Sequence, residues 1–233
     1  MKFCASVATV FAAAALLTSA DPMSEVFSRM DSTAARFRGM TANIQETVHI
    51  EIVDDNNVSN GIIKLKRTKP GDVRFLVEFQ SPDPRAAAYA GNEIHVYNPK
   101  TNIEQIYDVS TKKAIIEQAI LLGFGATSAE LKQSYNASYA GAETVDGQAT
   151  VHIKLIPKSK EMQNQVKQAD LWISDSLGVP VQQKFLTTSS GNYNLFKYTH
   201  LNLTTTLTDA DLKLKTPKNV QKQHVGAASG KDH

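Results

Sequence analysis

Cysteine is almost missing from this chain: its 233 residues hold one, Cys4. A single thiol makes no internal disulfide, so stability has to come from a hydrophobic core. The histidines His49, His95, His152, His200, His224 and His233 stand singly, with no H-x-x-x-H pair and no cysteine companion, which excludes the usual zinc patterns. No G-x-S-x-G elbow, phosphate loop or dinucleotide fingerprint occurs, and the "GFG" at 123–125 is too short to cradle a phosphate. A surplus of one charge is missing too. The 25 basic and 23 acidic residues are interspersed and sum to +2, so there is no basic face from which nucleic acid could release counterions. Paired carboxylates such as Asp54-Asp55 fall in turn-like sequence, where aspartate serves the backbone. These absences leave no candidate catalytic residue, no metal ligand set, no cofactor and no nucleic-acid partner.

Long apolar runs are confined to the first twenty residues, MKFCASVATVFAAAALLTSA. One basic residue, an apolar middle short for a bilayer, and Thr18-Ser19-Ala20 as a small-residue cleavage site read as an export signal over 1–20, with an uncleaved anchor helix as the alternative. No Pro/Gly/Ser-rich linker divides the remaining chain, so a single domain is expected over 21–220. Residues 221–233 have little to bury and are expected to form a mobile tail.

Within 21–220 the hydrophobic period changes along the chain. Asp21-Pro22 reads as a helix start, and Met23, Val26, Phe27, Met30, Ala34 and Phe37 recur at steps of three and four down one helical face. From Met40 the period becomes two. Ile44, Val48, Ile50 and Ile52 alternate with polar residues, and Glu46 is the single violation. A turn cluster comes next at Asp54–Asn57. Ile63 with Leu65, Phe75 with Val77, Ile94 with Val96, Leu171 with Ile173, and Val181 with Phe185 define the apolar faces of later strands. Thr127 and Glu130 form a possible capping box for a short helix, Ser128 to Ser134, and Leu212 to Lys215 is a last short run. The pattern predicts a mainly β fold with some helix: an open, strongly curved antiparallel sheet, or unclosed β-barrel, covered by α-helices on its concave side.

One stretch breaks this alternation. In "AIIEQAILLGFGA", residues 114–126, apolar side chains crowd together around only two polar ones and two glycines. A helix this greasy is either a core helix buried all round or a cover over an apolar hollow. Arg67 bears on the choice, because it shares the parity of Ile63 and Leu65 and so points with them to the apolar face. A charge placed there needs acceptors close by, and the end of a covering helix offers exposed carbonyls.

The order and spacing of "LKRTKP", "EIHVYNPKTNIEQI", "ADLWISDSLGVPVQQKF", "LFKYTHLNL" and "DADLKLKTPKNV" resemble the LolA family, the periplasmic carriers of outer-membrane lipoproteins. The resemblance covers nearly the whole chain from the first helix to Val220. It implies a lipid-binding cavity lined by the strand faces above, namely Ile44, Val48, Ile50, Ile52, Ile63, Leu65, Phe75, Val77, Ile94, Val96, Leu171, Ile173, Val181 and Phe185. It implies a lid carrying Ile115, Ile116, Ile120, Leu121 and Phe124, able to bend at Gly123 and Gly125. Arg67 occupies the place of an arginine that in the family bonds to the lid and is needed to pass cargo on. Two departures stand out: Pro70 lies three positions after Arg67 where the family usually has proline directly after it, and Trp172 is the only tryptophan. The implied protein is a monomeric periplasmic chaperone without enzyme activity. It receives acylated lipoprotein or lipid cargo from an inner-membrane export transporter and delivers it to an outer-membrane acceptor. A carrier of another lipid or glycolipid, and a lipid-sensing or partner-binding module, are the alternatives.

Overall fold

The computed structural model describes residues 21–69 and 72–225. The expected export signal with Cys4, Pro70 after Arg67, and tail residues 226–233 lie outside the described residues.

The chain opens as its sequence predicts. Asp21 caps helix α1 (Pro22–Arg36), accepting a hydrogen bond from the Met23 N–H at 3.3 Å, and Val26, Phe27 and Met30 form its buried stripe. Six strands come next: β1 (Gly39–Ile50), β2 (Asp55–Lys69), β3 (Asp72–Ser81), β4 (Arg85–Ala90), β5 (Glu93–Asn98) and β6 (Ile103–Asp108). The greasy stretch holds helix α2 (Lys113–Ile120) and a turn, succeeded by helix α3 (Ser128–Ser134). The second meander is β7 (Tyr135–Val145), β8 (Gln148–Pro157), the one-turn helix α4 (Lys160–Gln163), β9 (Val166–Ser174), β10 (Pro180–Thr187) and β11 (Tyr193–Asn202). A final strand, β12 (Gln221–Val225), ends the described chain.

All the strands join one 12-stranded sheet in the order β12-β6-β5-β4-β3-β2-β1-β11-β10-β9-β8-β7. Every neighbouring pair is antiparallel except β12 with β6, which is parallel. Strands β7 and β12 end the sheet without pairing to each other, so the barrel is unclosed. The two meanders meet at β1, which pairs with β2 on one side and β11 on the other. Register carries the inner face across the sheet in rows, one of which runs Met40, Leu65, Phe75, Tyr89, Ile94. Helix α1 closes the β8–β10 half of that face, burying Ile153, Leu155, Leu171 and Ile173 completely. The outer face of β2–β4 is covered by the segment after β11. Leu212 packs with Leu76 and Ala88, and Asp209 pairs with Lys66 at 2.9 Å and Arg74 at 2.6 Å.

Four expectations fail for identifiable reasons. The turn comes earlier than the Asp54–Asn57 cluster suggests, as a 3-10 turn at Glu51–Val53, so Ile52 leaves the inner face and is 91% exposed. A register shift between Pro180 and Gln182 reverses the parity before it, and Val181 packs with Trp172 and Val145 in a separate cluster instead of facing the interior with Phe185. Leu212–Lys215 is not a strand but leaves a 3-10 turn, Ala210–Leu212, in extended coil. The expected tail begins with β12, which pairs over five positions with β6. Ile52→Ser should therefore leave the unfolding free energy from urea titration within about 0.5 kcal/mol of wild type, whereas Leu171→Ala should lower it by about 2–5 kcal/mol.

Candidate functional site

The cover over the interior is built in two parts with different anchorage. The turn after α2 is fixed. Gly123 and Gly125 adopt φ of +80° and +75°, and a methyl group on them would meet Pro180 at 2.8 Å and the Phe37 ring at 2.5 Å, so only glycine fits either place. Between them Phe124 is pushed into the barrel, where its ring meets Tyr198 edge-on at 5.0 Å. Gln183, buried on β10, donates to the Leu122 carbonyl and accepts from the Tyr198 hydroxyl at 2.7 Å. Burial raises the Tyr198 phenol far above its ordinary pKa and keeps it a neutral donor.

Helix α2 itself is held more lightly. It spans 8 residues, has no side-chain N-cap, and carries neither an acidic first turn nor a basic last turn, so on its own it would be marginal. Ile115, Ile116 and Ile120 are half-buried, and Ala114 and Ala119 are exposed. Its buried residue is Glu117, whose Oε1 accepts from the Tyr89 hydroxyl at 3.0 Å. Burial, with the Glu117 carboxylate behind it, raises the Tyr89 phenol.

Arg67 ties the fixed turn to the sheet. From β2 its Nη1 donates to the Gly125 carbonyl, and its Nη2 reaches Glu130 Oε1 at 3.0 Å. Glu130 in turn closes the α3 capping box: its Oε2 accepts from the Thr127 N–H at 2.7 Å, and its own N–H donates to Thr127 Oγ1 at 3.2 Å. Asp31 of α1 clamps the next residue, accepting from the Ser128 N–H at 2.6 Å and its hydroxyl at 2.7 Å. Arg67, the turn, α3 and α1 thus form one hydrogen-bonded chain.

The interior divides around α2. On one side of the helix lies a cleft of about 330 Å³ bounded by Ala114, Glu117, Gln118, Leu121, Arg67 and Tyr135. On the other lies a cleft of about 350 Å³ bounded by Ile115, Ile116, Ala119, Phe185, Ala169 and Tyr135. Helix α2 is the partition, and each cleft alone has the size of a small ligand site.

The residues named from sequence distribute unevenly around this space. Ile44, Leu65, Leu171 and Ile173 are fully packed core. Val48, Ile50, Ile63, Phe75, Val77, Ile94, Val96 and Phe185 are half-buried, as side chains on the wall of an open concavity are. Ile52 and Val181 stand elsewhere, one exposed at the early turn and the other in the cluster with Trp172. Leu121 and Phe124 are buried in the fixed turn, while Ile115, Ile116 and Ile120 belong to α2. Pattern reading missed Tyr89, Glu117, Gln183 and Tyr135 as site residues. Glu46, however, announced itself by breaking parity. It lies on the inner face, ion-paired to Arg85, which also donates to Ser59 Oγ at 3.0 Å and stacks over Phe79 at 4.1 Å.

This geometry is that of an unclosed antiparallel β-barrel with a helical cover over an apolar interior, the architecture that the LolA resemblance implies. No family model matches the chain, and no curated protein matches it in sequence. Solved structures share the fold. An uncharacterized conserved protein from Thermus thermophilus is 15% identical, with 88% of this chain and 100% of that one aligned at a TM-score of 0.54. MucB is 13% identical at a TM-score of 0.50; 82% of this chain is covered, and it spans 62% of the MucB chain. A LolA superfamily protein from Nitrosomonas europaea is 12% identical, with coverage of 82% and 97% and a TM-score of 0.41. At such identities the likeness to the Thermus protein and to MucB is one of fold alone. No described helix is long and apolar enough to cross a membrane.

The Glu130 carboxyl would be raised by burial, but its bonds from the Thr127 backbone and from Arg67 outweigh this and lower its pKa. A lowered folded-state value means that its contribution is complete above the ordinary glutamate range and fades as the pH falls through the lowered value. Glu130→Gln should therefore cost about 1 kcal/mol at pH 7, a modest figure because the side chain is partly solvated. The difference from wild type in urea titrations should shrink toward zero in acid below that value.

Proposed function

We propose that the protein is a periplasmic carrier that shields acyl chains of lipoproteins in its apolar interior during transfer from inner to outer membrane. It takes its cargo from an inner-membrane transporter, yields it to an outer-membrane acceptor, and makes no covalent change to it. The observation that carries this reading is the partition of the interior by α2: a lightly held apolar helix whose displacement would join the clefts on either side.

The energetics fit an exchangeable cover. Each buried methylene returns about 0.8 kcal/mol, so about ten of them supply about 8 kcal/mol. Opening gives up the Tyr89–Glu117 bond, the packing of Ile116 and Ile120 and, if the turn moves with the helix, the two Arg67 bonds. Hydrogen bonds to charged groups are worth about 1.5–3 kcal/mol each. Gain and loss are of similar size, which is what a carrier needs if it is to be filled and emptied. Arg67 favours the closed, empty form in this balance.

A second reading, a module that binds a protein in the same interior, draws on the fold shared with MucB, which has been solved in complex with MucA(peri). Native mass spectrometry of the protein purified from its own periplasm separates the two. An acylated ligand should co-purify; a protein that arrives lipid-free, refuses added lipid and binds a protein partner tightly would reverse the assignment. Arg67→Leu should still accept a fluorescent acylated peptide but hold it at least about tenfold more tightly against acceptor vesicles, as the loss of one charged hydrogen bond implies. Release at the wild-type rate would remove Arg67 from the mechanism.

A further inference from the structure

Most polar groups around the 330 Å³ cleft already have partners. Arg67 is bonded to Gly125 and Glu130, Glu130 also to Thr127, and Gln118 donates to the Ser134 hydroxyl. Two groups remain. Glu117 is only 8% exposed; its Oε1 is taken by Tyr89, and its Oε2 has no hydrogen bond from any described residue. Tyr135, 3% exposed, lines both clefts, and its hydroxyl has no hydrogen-bond partner among the described residues. Burial pushes that phenol up to about 12, so it stays a donor. Lys113 forms an i,i+4 ion pair with Glu117, its Nζ 3.8 Å from Oε1 and too far for a hydrogen bond. Among the described residues Arg29 Nε is the one fully buried side-chain polar atom without a partner, so Glu117 Oε2 and the Tyr135 hydroxyl keep some access to solvent, and a ligand in the cleft lined by both residues could bond to them in place of water.

We infer that this cleft is a headgroup subsite for a lipid bearing a primary ammonium, which donates to the free oxygen of Glu117 while Tyr135 donates to a carbonyl oxygen at the head of the acyl chain. The inference rests on the carrier reading and deepens it. The chain enters the more apolar cleft across α2, among Ile115, Ile116, Ala169 and Phe185. Tyr135, standing in the wall common to both clefts, is placed where chain and head would join. Arg67 is already committed to the cover and compensates Glu130, whereas Glu117 is paired only at 3.8 Å with the more exposed Lys113, so a cargo ammonium bonded to Glu117 would compete with a loose partner.

The ammonium could come from a phospholipid head or from the free amine of a diacylated cysteinyl peptide. Binding of matched pairs to the full chain distinguishes them: dioleoyl phosphatidylethanolamine against its N-acetyl derivative and against phosphatidylglycerol, and a diacylated against an N-acylated, triacylated lipopeptide. At least one amine-bearing member should bind about tenfold more tightly than its amine-free counterpart, the scale of one charge-assisted hydrogen bond. Glu117→Gln should bring that pair to within about twofold. The N-acetyl comparison uses wild-type protein alone and so stands even if the variant folds poorly. Equal affinity within every pair, or a preference that survives Glu117→Gln, overturns the inference and leaves the carrier reading in place. If no lipid in either series binds, the carrier reading falls and takes the inference with it.

Discussion

One arginine on the inner face of the barrel fixes the arrangement of the cover. Arg67 is a charge on an otherwise apolar strand face, with a side chain 15% exposed, and it could not stand there unpaired. The Gly125 carbonyl is available because the turn after α2 leaves it unused by any helix, and Glu130 is available because a capping box holds it at the start of α3. Both partners lie more than fifty residues from Arg67 in sequence, so the ion pair joins the first meander to the segment that covers it. That this bond also governs release is the proposed step; the bond itself defines where the turn sits.

The rest of the site is built out from that anchor. The glycines at 123 and 125 let the chain pass against Pro180 and Phe37, which seats Phe124 beside Tyr198. The fixed turn leaves α2 projecting across the interior with few attachments of its own, and its Glu117–Tyr89 bond is the main polar tie to the sheet. Attachment is therefore graded along this short segment: dense at the turn, sparse at the helix. Such grading is what local opening without global unfolding requires.

Much of this was legible in the sequence, and the failures have physical causes. Period-two alternation identifies β1, β2 and β3 because each has one packed and one solvated face, and the same alternation sets Arg67 beside Leu65. Thr127 and Glu130 announce α3 through side-chain chemistry alone. Edge strands were invisible. In β7 only Tyr135 and Val145 are buried, and β12 pairs through its backbone with its side chains mostly outside, so neither leaves a hydrophobic period to read. The bulge at Val181 and the early turn at Ile52 depend on partner strands, information that a single stretch of sequence does not carry. The polar groups of the 330 Å³ cleft, Glu117 and Tyr135, looked like an interruption in a greasy helix and an ordinary aromatic. Their significance comes from the fold setting both in the wall of one cleft, and a single stretch of sequence does not show which residues share a cavity.

Everything proposed for this protein requires α2 to be a movable cover and not a core helix. Amide hydrogen exchange of the full chain tests it most directly. Amides of residues 113–120 should exchange well before those of β1 and β9, and bound lipid should change their protection while leaving those strands as they were. Protection in α2 as deep as in β9, unaltered by any lipid, would contradict it.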